Sequence, residues 1–514
     1  MRTSAAMALA TLASVVFADE IDVRTLYAEH CTTCHGTERL GGMGPALLPD
    51  NLERLRRPAA EQVIAEGRIA TQMPAFGAKL TRDEIKRLTD YVYSAPARMP
   101  VWDLREIAAS RVIYHAAGSL PDHPLFDADP LNLFVVVEAG DHHATILDGD
   151  RLEPLTRFAT RFSLHGGPKF SPDGRYVYFA SRDGWISKYD IWNLQMVCEV
   201  RAGINTRNAA VSSDGRFVLV GNYLPQSLVM LDAADLSPLK VIPVRSEQGK
   251  GSRVSAVYDA GPRGSFVVAL KDIPEVWEIF YTDQHDPVYQ GLVHDYRSAE
   301  ALPEAGPFPI RRTVLEEYLD DFFFDPSYAY LIGAAREGGK GQVINLDVRR
   351  RIAVVDLPGL PHLASGISWQ LDGRTLLATP NLKEGVVSVI DTKNWQTVKQ
   401  IPTLGPGFFL RSHENTPYAW VDALNSASKD ALQVIDKRTL EVVRTLRPEP
   451  GKSAAHVEFT RDGRFALVSL WEMDGALIVY DALTLAEIKR IPMRKPVGKY
   501  NVFNKITRSS GTSH

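Results

Sequence analysis

Cys31, Cys34 and His35 stand together as C-T-T-C-H. This spacing points to one chemistry. Two thiols form thioethers to a haem, and the following histidine is placed to ligate its iron from one face. Pro45, in GGMGPAL, offers a carbonyl to the second ring N–H of His35, which would fix the tautomer and strengthen the ligand. The opposite face calls for a sulfur or an imidazole. Met73, in TQMPAFGAKLT, supplies a sulfur. Met43 is its rival but follows His35 by only eight residues, a short span for reaching the other face. Chance or zinc binding is the alternative for C-x-x-C-H, and the Gly-Pro segment and Met-Pro loop argue against both.

The elements around this motif are helical. IDVRTLYAEHC has helical spacing and delivers the attachment site, and TRDEIKRLTDYVYSA reads as a closing helix with Thr81 as N-cap and Glu84 in the capping-box position. Residues 19–98 are therefore expected to form a small cytochrome c domain. Residues 1–18 read as a signal peptide: an Arg, an apolar run, then Val16-Phe17-Ala18 as the cleavage site. That run is too short for a stable membrane span, and none follows it, so the expected location is the periplasm. Hydrophobic content of 45% and charged content of 23% suit a globular protein. A net charge of −4 gives no broad basic field for nucleic acid. The third cysteine, Cys198, lies in an apparent strand and reads as a small buried hydrophobe.

Beyond Pro100 the chain repeats. Four turns share nearly one phrase: SPDGRYVYFAS, SSDGRFVLVG, QLDGRTLLAT and TRDGRFALVS. Strands closing on Asp148, Asp190, Asp232, Asp347, Asp391, Asp436 and Asp481 are spaced 42, 42, 115, 44, 45 and 45 residues apart. The long gap holds one more unit, ending near Asp283, and an insertion that contains the Pro-rich EALPEAGPFPIRRT, to which no role is assigned. A unit of several short strands at this period is a propeller blade. The fold expected is α plus all-β and multidomain: an N-terminal helical cytochrome c domain, then an eight-bladed β-propeller over 99–514. Two stacked sandwiches fit the regular period poorly.

The innermost strand of a blade lines the central channel and should run a few residues before the D-G turn. Those places hold His165, Arg207, His362 and His456 in units two, three, six and eight. Three histidines and an arginine are thus expected to converge on one end of one channel. Histidines there serve as iron ligands, proton carriers or both, and the arginine suggests an anionic guest. His413 takes the place of a D-G turn and is read as an outer loop residue. His115, His123, His142, His143, His285 and His294 are given structural or solvent roles.

Over nearly all of its length after residue 18 the chain resembles the cytochrome cd1 nitrite reductase-like family. The likeness rests on CTTCHG, QMPAFG, LHGGPKFSPDGRYVYFASRDGWISKYDIW, GINTRNAAVSSDGRF, GNYLPQSLVMLD, LPHLASG, LVSLWE and PVGKYNVFN. It implies a hub that binds haem d1, a dioxo-isobacteriochlorin with several carboxylates. By position it implies His165 as the proximal iron ligand, with Arg182, Arg207, Tyr223 and Trp471 in the pocket. The arginines would meet carboxylates in charge-assisted pairs.

Four positions depart from the reductases. Asp320 stands where they carry one of two distal histidines, His362 matching the second. Ser365 replaces an Arg, His456 has no counterpart, and Tyr500 replaces a Phe. The same departures resemble the dihydro-haem d1 dehydrogenase branch, which oxidises a propionate side chain to an acrylate in the last step of haem d1 biosynthesis, a service to denitrification. That resemblance implies electrons leaving through haem c to an external acceptor, and transient delivery of haem d1 to cytochrome cd1 nitrite reductase. It also implies His456 as the opposite iron ligand, and His362, His456 and Tyr500 as candidates for proton removal or relay. Two other readings stand beside it: a nitrite reductase, which takes electrons in through haem c, and a non-catalytic haem d1 carrier.

Overall fold

The computed structural model describes residues 22–42, 44–52, 55–67, 73–98, 100–164, 167–289, 306–335 and 339–508. The expected signal peptide, Met43, His165 and His294 lie outside the described residues.

The front of the chain is helical, as its spacing predicts. Helix Arg82–Val92 starts on a complete capping box: the Glu84 carboxylate accepts from Thr81 N–H at 2.7 Å, and Thr81 Oγ1 accepts from Glu84 N–H at 3.3 Å. Its buried stripe is Ile85, Leu88, Thr89 and Val92, which packs with Leu26 and Tyr27 of helix Val23–His30. Tyr27 then donates its hydroxyl to the Gly36 carbonyl at 2.9 Å, tying that helix to the end of the CTTCH turn.

The remainder forms, among the described residues, eight antiparallel sheets, seven with four strands and one with five. They are the blades of an eight-bladed β-propeller. Seven inner strands follow chain order: Lys169–Phe170, Asn205–Val211, Val254–Ala260, Leu319–Phe324, Ile367–Leu371, Leu410–Ser412 and Ala454–Phe459. The eighth comes from the end of the chain. Pro496–Asn501 pairs with Leu133–Glu138, placing Tyr500 opposite Val135, so the first blade is built from both ends of the propeller and the ring closes. The helix Val502–Thr507 follows at once, and its buried Val502 packs with Phe170 of the second blade.

Three of the four repeated phrases make the same turn. Asp173, Asp214 and Asp462 each accept, at 3.0 Å, the backbone N–H of the arginine two residues on. Gly174, Gly215 and Gly463 sit at φ +73°, +72° and +73°, where a Cβ is strained. QLDGR differs. Asp372 and Gly373 both have positive φ and Leu371 pairs directly with Arg374, a two-residue hairpin loop of the primed kind. The cause is Gln370, which stands where Ser171, Ser212 and Thr460 bind the turn aspartate with their hydroxyls.

The recurring strand-final aspartates end third strands and cap the turn that follows. Asp436, for example, accepts the N–H of Arg438 at 2.8 Å and of Thr439 at 2.9 Å. In the fifth blade the strand stops at Asn345, and Asn345 rather than Asp347 plays this part. In the fourth blade the insertion separates the third strand, Glu275–Phe280, from the fourth, Ile310–Val314. Cys198 is buried, and burial pushes its thiol up to about 11.

Candidate functional site

His35 is buried under a tight segment, in which a Cβ at Gly44 would stand 2.7 Å from its ring. Its Nδ1–H donates to the Pro45 carbonyl at 2.7 Å, which leaves the Nε2 lone pair as the ligand atom. Burial also lowers the pKa of the ring and keeps it neutral. Cys31 and Cys34 are unpaired and half-buried. Met73 is half-buried at the start of a loop that Phe76 and Gly77 bind to the end of helix Arg57–Glu66, through the Ile64 and Ala65 carbonyls. This donor set fits a covalent c-type haem.

The segment beyond Pro45 docks on the propeller. Ala46 and Leu48 are buried with Ile204 and Leu224 of the third blade, and Ile204 lies three residues before Arg207. Arg201 locks the contact. Its guanidinium lies 5.0 Å from the Trp102 ring and donates to the Leu40 carbonyl, and its own carbonyl accepts Trp102 Nε1–H at 2.8 Å. The ligand side of the haem c site is thereby within a few residues of the hub.

In the hub His362 and His456 border one ring, Phe409, and His456 meets Tyr500. His456 lies on the inner strand of the eighth blade, 1% exposed, at a bulge between Ala455 and Val457 and with φ +53°. Neither ring nitrogen has a hydrogen-bond partner. A left-handed β-strand histidine with two orphaned nitrogens is strain that a packed core has no use for. The Tyr500 ring is 5.0 Å away, edge to face, and the Phe409 ring 4.7 Å on another side. Phe409 also borders His362, at 6.5 Å, and Trp471, at 5.9 Å. Trp471 keeps a buried indole N–H without a partner.

His362 is not on an inner strand. It caps the short helical turn Leu363–Ser365 ahead of strand Ile367–Leu371, which explains its longer distance to the D-G turn. Its backbone N–H donates to the Pro380 carbonyl at 2.9 Å, and its Nδ1–H to the Phe408 carbonyl at 2.7 Å. Two bonds thus fix both ring and tautomer, leaving Nε2 as a lone pair. Arg207 and Arg411 act on this ring electrostatically. Arg182 hydrogen-bonds through its backbone to Ser163 and Thr206, and Tyr223 lies under the Arg253 guanidinium at 5.5 Å. Asp320 is engaged by Lys271 at 2.6 Å, and Ser365 is buried. His413 is the clear correction: it is fully buried, not an outer loop. Its Nδ1 accepts from Asn415 N–H at 3.1 Å, and its ring packs on Gly463, so it completes a turn that lacks the D-G pair.

Several neighbours were missed in the sequence. Phe408 and Phe409, in GPGFFLRS, are held by the Asp422 carboxylate, which accepts both backbone N–H groups at 2.8 Å. Arg411 is 4% exposed, with Nε unpartnered. Lys499 is fully buried and donates to the His456 carbonyl and to Ser469 Oγ. A cavity of about 440 Å³ is lined in part by Tyr500, Lys169, Lys505, Tyr258 and Arg508. Burial lowers Lys169 to about 8 and Lys505 to about 7. So many buried cations suit a guest with several carboxylates. Their positions were open to sequence reading: Lys169, Arg411 and Lys499 stand on inner strands, and Lys505 and Arg508 follow the last one.

The cations and burial also keep the hub imidazoles neutral. Burial, then Arg411 and Arg207 against the opposing Phe408 bond, brings His362 down to about 4. Burial, then Lys499, Arg411 and Lys505, holds His456 well below its ordinary value. An unfolded histidine takes its proton near pH 6.5, whereas these folded ones do not. Stability is therefore full above about 6.5 and falls as pH drops toward 4, by about 1.4 kcal/mol per pH unit for each such group. Denaturant unfolding of the substrate-free protein at stepped pH should show this slope, and His456→Gln should make it shallower.

A cytochrome c domain docked on an eight-bladed ring with a cation-lined, histidine-bearing hub defines a haem-binding propeller protein. A family model described as the cytochrome D1 heme domain matches residues 128–505, and the chain belongs to that family. A second, described as cytochrome c oxidase, cbb3-type, subunit III, matches residues 18–92. The dihydro-heme d1 dehydrogenase of Pseudomonas aeruginosa is 55% identical, over 98% of this chain and 98% of its own. The nitrite reductase of Stutzerimonas stutzeri is 24% identical over 94% of this chain and 92% of its own. A solved structure of the dihydro-heme d1 dehydrogenase NirN in complex with DHE superposes with a TM-score of 0.85 at 56% identity, covering 94% of this chain and 99% of that one.

Proposed function

We propose that this chain is a periplasmic dihydro-haem d1 dehydrogenase of haem d1 biosynthesis. It converts –CH2–CH2–COO⁻ on the bound tetrapyrrole to –CH=CH–COO⁻, releasing two electrons and two protons. The observation that carries the reading is the hub: a neutral His362 with its Nε2 lone pair free, across the Phe409 ring from the strained His456, which meets Tyr500, among buried cations. The likeness to the dehydrogenase over 98% of both chains supports it.

Cys31, Cys34, His35 and Met73 would hold haem c, which would supply a one-electron relay to an external acceptor. His165 and His456 would hold the iron of the substrate, where a reductase leaves room for nitrite. Arg182 and Arg207 would anchor carboxylates, and Tyr223 and Trp471 would line the ring. His362 Nε2 is the atom suited to take a proton from carbon: its tautomer is fixed, and a substrate carboxylate nearby would raise its basicity. Burial pushes Tyr500 up to about 12, so it stays a neutral phenol that donates a hydrogen bond or relays a proton. Ala46 and Ile204 offer the electrons a short packed route to the haem c side. Transient contact with cytochrome cd1 nitrite reductase would hand over the product.

The test is chemical. Purified protein with haem c in place is given dihydro-haem d1 and an oxidant, and the pigment is extracted and weighed. The reading expects a product lighter by two hydrogens. Tight binding without a mass change would favour a carrier.

A further inference from the structure

We propose that Gly498 is a positioning residue for the reaction: the space left by its missing Cβ is the slot that fixes the Tyr500 hydroxyl. The inference rests on the reading above that this hydroxyl takes part in proton handling. Gly498 and Tyr500 are two residues apart on the closing inner strand, so their side-chain positions fall on one face. Tyr500 lies back across that empty position. A Cβ on Gly498 would stand 2.7 Å from the hydroxyl oxygen, 2.9 Å from Cε2 and 3.1 Å from Cζ. The opposite edge meets a second glycine: a Cβ on Gly167 would stand 2.9 Å from Cε1 and 3.2 Å from the oxygen. The His456 ring meets the tyrosine at 69°, and the Lys505 ammonium lies 5.7 Å from its centroid. The phenol is therefore confined at both edges, with its oxygen between two absent side chains.

The two glycines differ in a way that makes one of them diagnostic. Gly167 has φ +70°, so any substitution there strains the backbone as well. Gly498 has no left-handed φ and pairs with Val137, next to a register shift between that pair and Glu138–Pro496. Alanine suits that backbone better than glycine does, so its penalty falls on the Tyr500 ring.

Gly498→Ala, Tyr500→Phe and the double variant are made in the full chain with haem c attached. Gly498→Ala is expected to lower kcat by about 10- to 100-fold, the range for a catalytic group displaced by about 1 Å, with KM and the haem c spectrum unchanged. In the Tyr500→Phe background the same substitution is expected to cost less than about two-fold, because the oxygen it displaces is gone. Wild-type turnover of Gly498→Ala, or an equal further loss without the hydroxyl, would overturn the slot. If the single variant does not fold, regained folding on combining Gly498→Ala with Tyr500→Leu, which removes the whole ring edge, supports the contact, and no regain overturns it. Full activity of Tyr500→Phe alone would show a different failure, that of the tyrosine's own role and the slot's purpose with it.

Discussion

His362→Ala is expected to leave dihydro-haem d1 bound and to slow its conversion by about 10² to 10⁴-fold, the usual worth of a positioned general base. The effect should be this large because the side chain is so completely specified. Its Nδ1–H is committed to the Phe408 carbonyl, and its backbone N–H to Pro380, so the ring has one orientation and one free lone pair. Water admitted into the gap would lack that orientation. Binding should survive, because the buried cations and the iron-ligand candidates are untouched. Single-turnover rates with the affinity measured separately would check it. His362→Gln should resemble alanine, since an amide offers no comparable base.

Replacing both thioether cysteines, as Cys31→Ala with Cys34→Ala, is expected to stop turnover while the propeller stays folded. The ring has its own cores between adjacent blades and closes on its own terminal strand. The front domain meets it through a small apolar patch and Arg201. What disappears is the exit for electrons. Each substrate must shed two, and a hub without redox side chains has nowhere to put them. Product should remain below one per chain, with dihydro-haem d1 still bound as judged by its absorption. Conversion at the normal rate with a small soluble oxidant would mean that electrons leave without haem c.

The propeller was legible because it repeats. The spacing of strand-final aspartates exposed even the blade whose third strand ends at Phe280 before the insertion. The capping box of Thr81 and Glu84 was legible because it is local. The hub was only partly so. Arg207 and His456 lie on inner strands, where the repeat predicts, but His362 reaches the channel from a helical turn ahead of its strand. Spacing alone could not reveal that Phe408 fixes its tautomer, because the partner is 46 residues away and is itself held by Asp422. His413 was misread because a missing D-G pair suggested a loose turn, whereas its ring replaces the aspartate and is buried. Glycines 167 and 498 were invisible for a plain reason. What matters there is an atom that is absent, and only the neighbouring ring shows it.

The measurement closest to the central claim is the direction of electron flow. Protein with haem c oxidised is mixed anaerobically with dihydro-haem d1, with no other oxidant present, and haem c absorption is followed while product is weighed after quenching. The account predicts that haem c becomes reduced as product forms, with two haem c reduced for each substrate that loses two hydrogens. Haem c that stays oxidised in the presence of bound substrate, together with oxidation of reduced haem c on adding nitrite to haem d1-loaded protein, would contradict it and return the chain to the reductases.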